Sequence, residues 1–456
     1  MSEIAHRVTN IAGEGAPIDP RVLMRDAPMS ATQQAAVAVT IGLSALDGYD
    51  VLAATLAAPW IVTEWGISHA ALGFMLSMGL VGMAIGSLFL APLADILGRR
   101  RLILMSLMLL VVGMGLSGLA TSVTALSLWR VVTGLGIGAM LAVINPLATE
   151  FASERRRDLA VSMMAIGYPI GGVVGGVAAT FLLHHFSWQV LFYIGALLGL
   201  LMIPIVLKWL PEPFSFLIER PDARSLARTN QLLERCGFAP LARLPTPSSA
   251  PVRAPIGEIL GRGNLAITLR VLMINLLYII GVYYMLSWLP QLVADLGFTP
   301  AEAASVSLAV STIGIVGGLS FGWLVGRFGA KRLTIFILVG YALAMIAFSR
   351  APADLSLLRV LGAVLGFFMI GGACAMHVVV SRSFADRTRA TGAGLVLGIG
   401  RVGSAITPAV TGMLFSMGFG RISVSLVLAI GVLGAAFLLV WHRWSQPPTV
   451  LPASTH

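Results

Sequence analysis

Charge is scarce in this sequence. Asp, Glu, Lys and Arg together make up 11% of its 456 residues, against about 25% in soluble domains. A chain this long with so little charge cannot clothe a water-soluble globule. Cysteine is rarer still, limited to Cys236 and Cys374. A disulfide framework is therefore excluded, and Cys374, inside an apolar run, is expected to be a buried inert thiol. The first 30 residues hold charges, Pro and Gly but no apolar core of the signal-peptide kind, so a disordered tail is expected there. Walker, Rossmann and nucleophile-elbow patterns are missing from the places where their chemistry would need them, and His184 with His185 lacks ligand partners in sequence. Neither an enzyme, a cofactor nor a metal site is expected.

What the sequence does contain is apolar length. Hydrophobic residues make up 57% of it and the mean hydropathy is +0.90. Splitting at charged or turn-rich breaks gives twelve runs, at 35–62, 70–94, 101–121, 125–149, 158–183, 188–210, 267–294, 302–326, 331–350, 355–381, 390–415 and 421–443. Each is near or above the roughly 20 residues that cross the hydrocarbon as a helix, and a β-barrel would show short alternating segments instead. The fold class expected is an all-α membrane protein.

The net charge of +10 would point to nucleic acid in a soluble protein. Here the basic residues fall between alternate spans, as the positive-inside rule requires of cytoplasmic loops. Arg99, Arg100 and Arg101 lie on that side, as do Arg155, Arg156 and Arg157, then Arg327, Lys331 and Arg332, then Arg382, Arg387 and Arg389. Both termini are expected in the cytoplasm of a cell with the chain in its inner membrane. Residues 1–34 and 444–456 read as cytoplasmic tails, 35–210 and 267–443 as six-helix bundles, and 211–266, rich in Pro, Arg and Ser, as a cytoplasmic linker with short surface helices around Pro221 to Cys236.

The halves repeat. Trp129-Arg130-Val131-Val132 in the fourth span has a counterpart in Leu358-Arg359-Val360-Leu361 in the tenth. Ile166-Gly167-Tyr168-Pro169-Ile170-Gly171 in the fifth aligns with Ile399-Gly400-Arg401-Val402-Gly403 in the eleventh. Asp95 to Arg100 is echoed by Gly326 to Lys331. Parallel repeats of this kind place a substrate site near the midplane. Glycine, 50 residues, recurs in spacings such as Gly82 to Gly86, Gly134 to Gly138 and Gly167 to Gly171, which let helices approach closely.

Most telling is Asp47-Gly48-Tyr49-Asp50, inside the first run. An acid near the bilayer centre costs about 2.5 to 3.5 kcal/mol on insertion scales and usually marks a substrate, ion or proton pathway. Three residues apart, the two acids lie on roughly one helical face. The bland alternative is a structural pairing of one acid with an arginine from another helix.

Twelve spans and the loop Ala91-Pro92-Leu93-Ala94-Asp95-Ile96-Leu97-Gly98-Arg99-Arg100-Arg101 resemble the major facilitator superfamily. Asp47-Gly48-Tyr49-Asp50, Gly398 to Gly403 and Arg389-Ala390-Thr391-Gly392 resemble its aromatic acid/proton symporter family. The loop departs from the family pattern at Ala91, where Gly is usual, and at Ile96, where a basic residue is usual. The resemblance implies two pseudo-symmetric six-helix bundles, import of a benzoate-type or hydroxybenzoate-type carboxylate with protons by alternating access, and a functional monomer powered by the proton gradient. Alternatives are proton-coupled efflux, organic-anion exchange, or a chemoreceptor for aromatic acids; a receptor would carry a folded signalling domain, and none of that size lies outside the apolar runs.

Such transport needs a cation for the carboxylate, flat apolar surface for the ring and an acid that titrates. Arg401, about 18 Å into its span at 1.5 Å per residue, is the expected carboxylate anchor, because its fork suits two-point contact. Its alternative is an ion pair with Asp47 or Asp50. The two acids are the expected proton carriers. Tyr49, Tyr168, Tyr283 and Tyr284 are candidates for the ring surface, whereas Trp288 is expected in an interfacial belt. Arg130 is the candidate partner of Asp50, and Arg359 is expected to snorkel. The resemblance makes Asp95, Arg99 and Arg100 a gating cluster, joined by Glu150 with Arg157 and by Arg389; orientation alone would also account for the arginines.

Overall fold

The computed structural model describes residues 19–219, 223–245, 256–259, 261, 264–385 and 388–442. The expected tails at 1–18 and 444–456, and Arg387, lie outside the described residues. Twelve helices among those described are long and apolar enough to cross a membrane: Ala31–Trp65, His69–Leu90, Arg99–Ser117, Val123–Phe151, Glu154–Leu182, Gln189–Trp209, Leu265–Ala294, Pro300–Phe328, Ala330–Arg350, Leu355–Ser383, Thr391–Ser416 and Arg421–Val440. They are called the first to twelfth spans. Their ends differ from those of the apolar runs by a few residues in either direction, because a helix stops where its last backbone groups are capped and not where hydropathy falls. The eighth span shows this in a capping box, in which Thr299 accepts from Glu302 N–H while the Glu302 side chain takes Thr299 N–H. Part of the stretch expected to be a disordered tail is helical. Pro20–Asp26 forms a short helix whose cap, Asp19, accepts from the N–H of Arg21.

The chain divides into two compact units, residues 1–61 with 78–250, and residues 62–77 with 251–456. Each is built on the same close helix crossings. In the first unit, Gly48 lies so close to the Tyr168 carbonyl that an added Cβ would overlap it, and Gly171 stands likewise against Ala45. First and fifth spans therefore meet backbone to backbone. In the second unit, Gly400 and Gly403 bring the eleventh span onto Asn275 and Leu276 of the seventh. Similarly, Gly82 and Gly86 seat the second span on Val131 and Leu135 of the fourth, and Gly317 seats the eighth on Phe367 of the tenth. The repeat seen in the residues is thus a repeat of helix crossings, sustained by small residues because lipid gives helices little hydrophobic reason to associate. Replacing Gly48 by Ala is expected to destabilise the first unit by about 1–3 kcal/mol, the usual cost of overpacking. Thermal unfolding in detergent checks this, and a melting temperature equal to that of the parent protein would contradict it.

On the arginine-rich side, the segment after the sixth span contains helices Phe214–Glu219 and Ala223–Arg235, which belong with the first unit. At the end of the twelfth span, Lys331 Nζ donates to the Val440 carbonyl at 2.7 Å and Arg270 Nη1 to the Trp441 carbonyl at 3.0 Å. Cations placed there satisfy the last carbonyls and oppose the helix dipole.

Candidate functional site

The first unit holds Asp47 and Asp50 inside its first span, both buried. Arg130 of the fourth span grips Asp50 with two parallel hydrogen bonds: Nη1 donates to Oδ1, and Nη2 donates to Oδ2 at 2.9 Å. Side-chain exposure is 4% for Arg130 and 0% for Asp50, so water does not compete for the pair. The fork geometry adds orientation to charge. Room for the guanidinium comes from Gly79 of the second span, where a Cβ would stand 2.9 Å from Nη2. Phe192 of the sixth span lies 6.0 Å beneath the guanidinium, within cation–π range. Asp47, one turn earlier, is the second acid of the same buried stretch.

Tyr49 faces elsewhere. It is buried, its hydroxyl donates to the Leu191 carbonyl at 2.8 Å, and its ring packs near Gly175 and Gly195. The expectation that it offers a surface to substrate gives way to a packing role among the first, fifth and sixth spans. The reason is steric: glycines on both neighbouring helices leave a slot that the ring fills. Tyr168 is half-buried, with its backbone carbonyl at the Gly48 crossing.

In the second unit, Arg401 is half-buried on the helix Arg389–Ser416. Its carbonyl accepts from Ser404 Oγ. Among the described residues, its guanidinium has no hydrogen bond or ion pair of its own. It lies within about 20° of Pro408 and Gly412 around the helix at 3.6 residues per turn, a face whose outer end contacts Gly73 and His69. Tyr283 is half-buried. Tyr284, expected on the substrate surface, is fully buried, with its hydroxyl 2.8 Å from Ser425 Oγ, and this makes it a strut to the twelfth span. Trp288 departs from the expected belt. It is fully buried, 4.9 Å from the Phe415 ring and 5.9 Å from the His69 ring. His69 also pairs with Asp295 at 3.5 Å, and Ala70 N–H donates to Ser416 Oγ. Residues 62–77, which close the first span and open the second, accordingly belong with the second unit.

A second polar cluster occupies the arginine-rich side of the first unit. Arg99 Nη1 pairs with Glu150 Oε2 at 2.6 Å, and Glu150 also accepts from Ser215 N–H and Oγ at 2.8 Å each. Arg100 Nη2 donates to the Leu207 carbonyl. Glu150 was expected to meet Arg157, but Arg157 is exposed and Arg99 takes its place, because the turn at Gly98, φ +98, swings the third span's first residues toward the end of the fourth. Asp95 is exposed in the first turn of the short helix Leu93–Leu97. Arg389 is half-buried at the start of its helix.

Glu212 was not foreseen. Its Oε1 accepts the backbone N–H of Arg99 at 2.6 Å and of Arg100 at 3.3 Å, which makes it the cap of the third span. Burial pushes its carboxyl above the ordinary value, against the pull of those two amides and of the Arg100 and Arg99 charges. A lone acid beside Pro211, over a hundred residues from the helix it caps, has no local pattern to reveal it. His377 was also passed over. It is an ionisable residue inside an apolar span, the same signal that singled out Asp47.

Comparison with known proteins agrees with this architecture. The sequence model of the Major Facilitator Superfamily matches residues 40–352 and 271–455. A gallate transporter of Pseudomonas putida is 30% identical over 437 residues, covering 93% of this chain and 95% of that protein. A 4-hydroxybenzoate transporter, PcaK, of Pseudomonas aeruginosa is 30% identical over 92% of this chain and 95% of its own length. The xylose transporter XylE of E. coli, in a partially occluded inward-open conformation, superposes with a TM-score of 0.73 over 92% of this chain and 100% of that one at 18% identity, a likeness of fold alone.

Proposed function

Since the chain belongs to the major facilitator superfamily, as a multi-pass transporter and not an enzyme, we propose that it imports an aromatic carboxylate together with one proton by alternating access. The reading takes the chain as an inner-membrane protein with both termini in the cytoplasm. The relatives' printed substrates, gallate and 4-hydroxybenzoate, support the substrate class.

The observation that carries the proton is the charge balance inside the spans. The first unit holds two acids, Asp47 and Asp50, against one guanidinium, Arg130, and the second holds Arg401. With nothing bound these four charges sum to zero. A proton on the acids and a carboxylate on Arg401 together also sum to zero. Either ligand alone leaves one uncompensated charge in a low-dielectric interior, which is costly. Empty and doubly loaded carriers therefore reorient readily, and singly loaded ones do not. That difference is coupling, without any direct contact between proton and substrate.

Asp47 carries the proton in this scheme. Asp50 is already matched by the Arg130 fork, so protonating it would forfeit two charge-assisted hydrogen bonds. Arg401 binds the carboxylate, and Tyr283 of the same unit, half-buried, offers the ring a flat surface. Asp95, Arg99, Arg100 and Glu150 steady the cytoplasmic end of the first unit during reorientation.

Uptake of labelled 4-hydroxybenzoate into cells, with and without a protonophore, tests the proposal. Accumulation disappears with the proton gradient if the reading holds; accumulation that survives points to exchange. In vesicles, a potassium diffusion potential at equal pH drives no accumulation, because one proton and one monovalent carboxylate move no net charge.

A further inference from the structure

We infer that His377 is a second station for the carboxylate, on the cytoplasmic side of Arg401, which receives the substrate before its release. The inference rests on the transport reading above.

His377 lies in the tenth span, Leu355–Ser383, about 9 Å from its end at 1.5 Å per residue. Ala375, Met376, Val379 and Val380 around it are buried, yet His377 is exposed. The direction of that exposure follows from its neighbours. Ala375 packs with Phe321 of the eighth span and Leu333 and Ile337 of the ninth. Val380 packs with Val271 of the seventh and Val396 of the eleventh. At about 100° per residue, His377 points about 200° around the helix from Ala375 and about 60° beyond Val380. It therefore faces away from the ninth span, beside the side covered by the seventh and eleventh.

The same face carries a second cation. Arg359 lies eighteen residues earlier, five full turns, and so in the same phase as His377. Arg359 is exposed, and its Nε donates to Ser305 Oγ at 2.9 Å. Measured from the arginine-rich ends of their helices, Arg359 stands at about 36 Å, Arg401 at about 18 Å and His377 at about 9 Å. The second unit thus presents three groups able to donate to a carboxylate at successive depths.

The chemistry of the last of them suits release. Arg401 is always charged and holds a carboxylate by two points, whereas an imidazole offers a single hydrogen bond when neutral. A carboxylate leaving Arg401 for His377 exchanges a strong partner for a weak one on its way to the cytoplasm. Without His377 it would leave a buried charge-assisted contact with no intermediate acceptor, so departure slows while initial binding is preserved. His377 is a secondary, transient contact for the carboxylate in this account and not the primary anchor.

The test uses the full-length protein reconstituted in lipid vesicles, with 4-hydroxybenzoate as the probe. His377→Ala is expected to slow net uptake about fivefold, the loss of roughly one hydrogen bond. Its equilibrium dissociation constant is expected to stay within about twofold of the parent value, because Arg401 is intact. His377→Gln, which keeps a donor, recovers most of the rate. Net uptake by His377→Ala equal to that of the parent overturns the inference. So does a parallel fall in affinity and rate that glutamine does not rescue, since that is the mark of a structural role. A third arm replaces Cys236 and Cys374 by Ser and His377 by Cys, then applies a membrane-impermeant thiol reagent from the cytoplasmic side of inverted vesicles. Labelling that 4-hydroxybenzoate suppresses supports the station, and failure to label refutes the open face. Failure of the parent protein to take up any aromatic carboxylate would instead sink the transport reading, a result separable from a selective defect at position 377.

Discussion

Arg130→Ala is expected to destabilise the first unit by about 3–5 kcal/mol, because it leaves the Asp50 carboxylate buried without its partner. Little in the surroundings can replace the guanidinium: the site is closed by Gly79 and Phe192, and water does not reach it. Asp50→Ala should cost a similar amount for the converse reason. The informative variant is the double replacement, Asp50→Leu with Arg130→Met. It removes both charges and fills the volume with apolar atoms, so stability should return toward that of the parent. Coupled uptake should return with it, because the replacement removes one charge of each sign and leaves Asp47 and Arg401 summing to zero as in the parent. Unfolding in detergent and uptake in vesicles read the two effects separately. Single variants as stable as the double one would show that the pair contributes nothing to folding.

Arg401→Ala is the second large effect, and its signature is the reverse. Among the described residues the guanidinium has no hydrogen bond or ion pair of its own, so the melting temperature should change little. Affinity for 4-hydroxybenzoate should fall by about 2–5 kcal/mol, the usual cost of truncating one partner of a buried charge pair, which is about thirtyfold or more in the dissociation constant. Arg401→Lys should recover part of it, since an ammonium supplies charge without the planar fork. Unchanged uptake kinetics in Arg401→Ala would remove it from the substrate site. The two variants thus separate the buried ion pair of Arg130 from the carboxylate-binding role proposed for Arg401.

Sequence reading gave the two arginines different expected roles, Arg130 as the partner of Asp50 and Arg401 as the anchor, and the structure supplies the geometry of the first. Asp47, Asp50, Arg130 and Arg401 were all legible as costly charges in apolar runs, and the family resemblance supplied their expected roles. Arg130 as a partner for Asp50 followed from the fold that the family resemblance implies, but the two-point grip and its enclosure depend on Gly79 and Phe192, which come from two other helices. Tyr49 and Tyr284 were placed at useful depths by counting residues. Depth does not reveal azimuth, and both rings turn into helix contacts, with hydroxyls engaged by Leu191 and Ser425. Trp288 was read as a belt residue from its type, yet Phe415 and His69 bury it. The helix Pro20–Asp26 did carry a local signal, Asp before Pro at a helix start, which composition outweighed.

By itself the sequence determined the twelve spans, their grouping into two related halves and the sites where charge enters the apolar interior. These follow from hydropathy over about twenty residues and from self-similarity, both local and both imposed by the bilayer. The tertiary structure alone decided the enclosed two-point grip of Arg130 on Asp50, that Arg99 and not Arg157 meets Glu150, that Glu212 caps a helix over a hundred residues away, and that His377 lies on an open face. Each of these depends on how helices rotate about their axes as glycine crossings bring backbones together. Rotation is set by packing between distant segments, and packing is written in no single stretch of the chain.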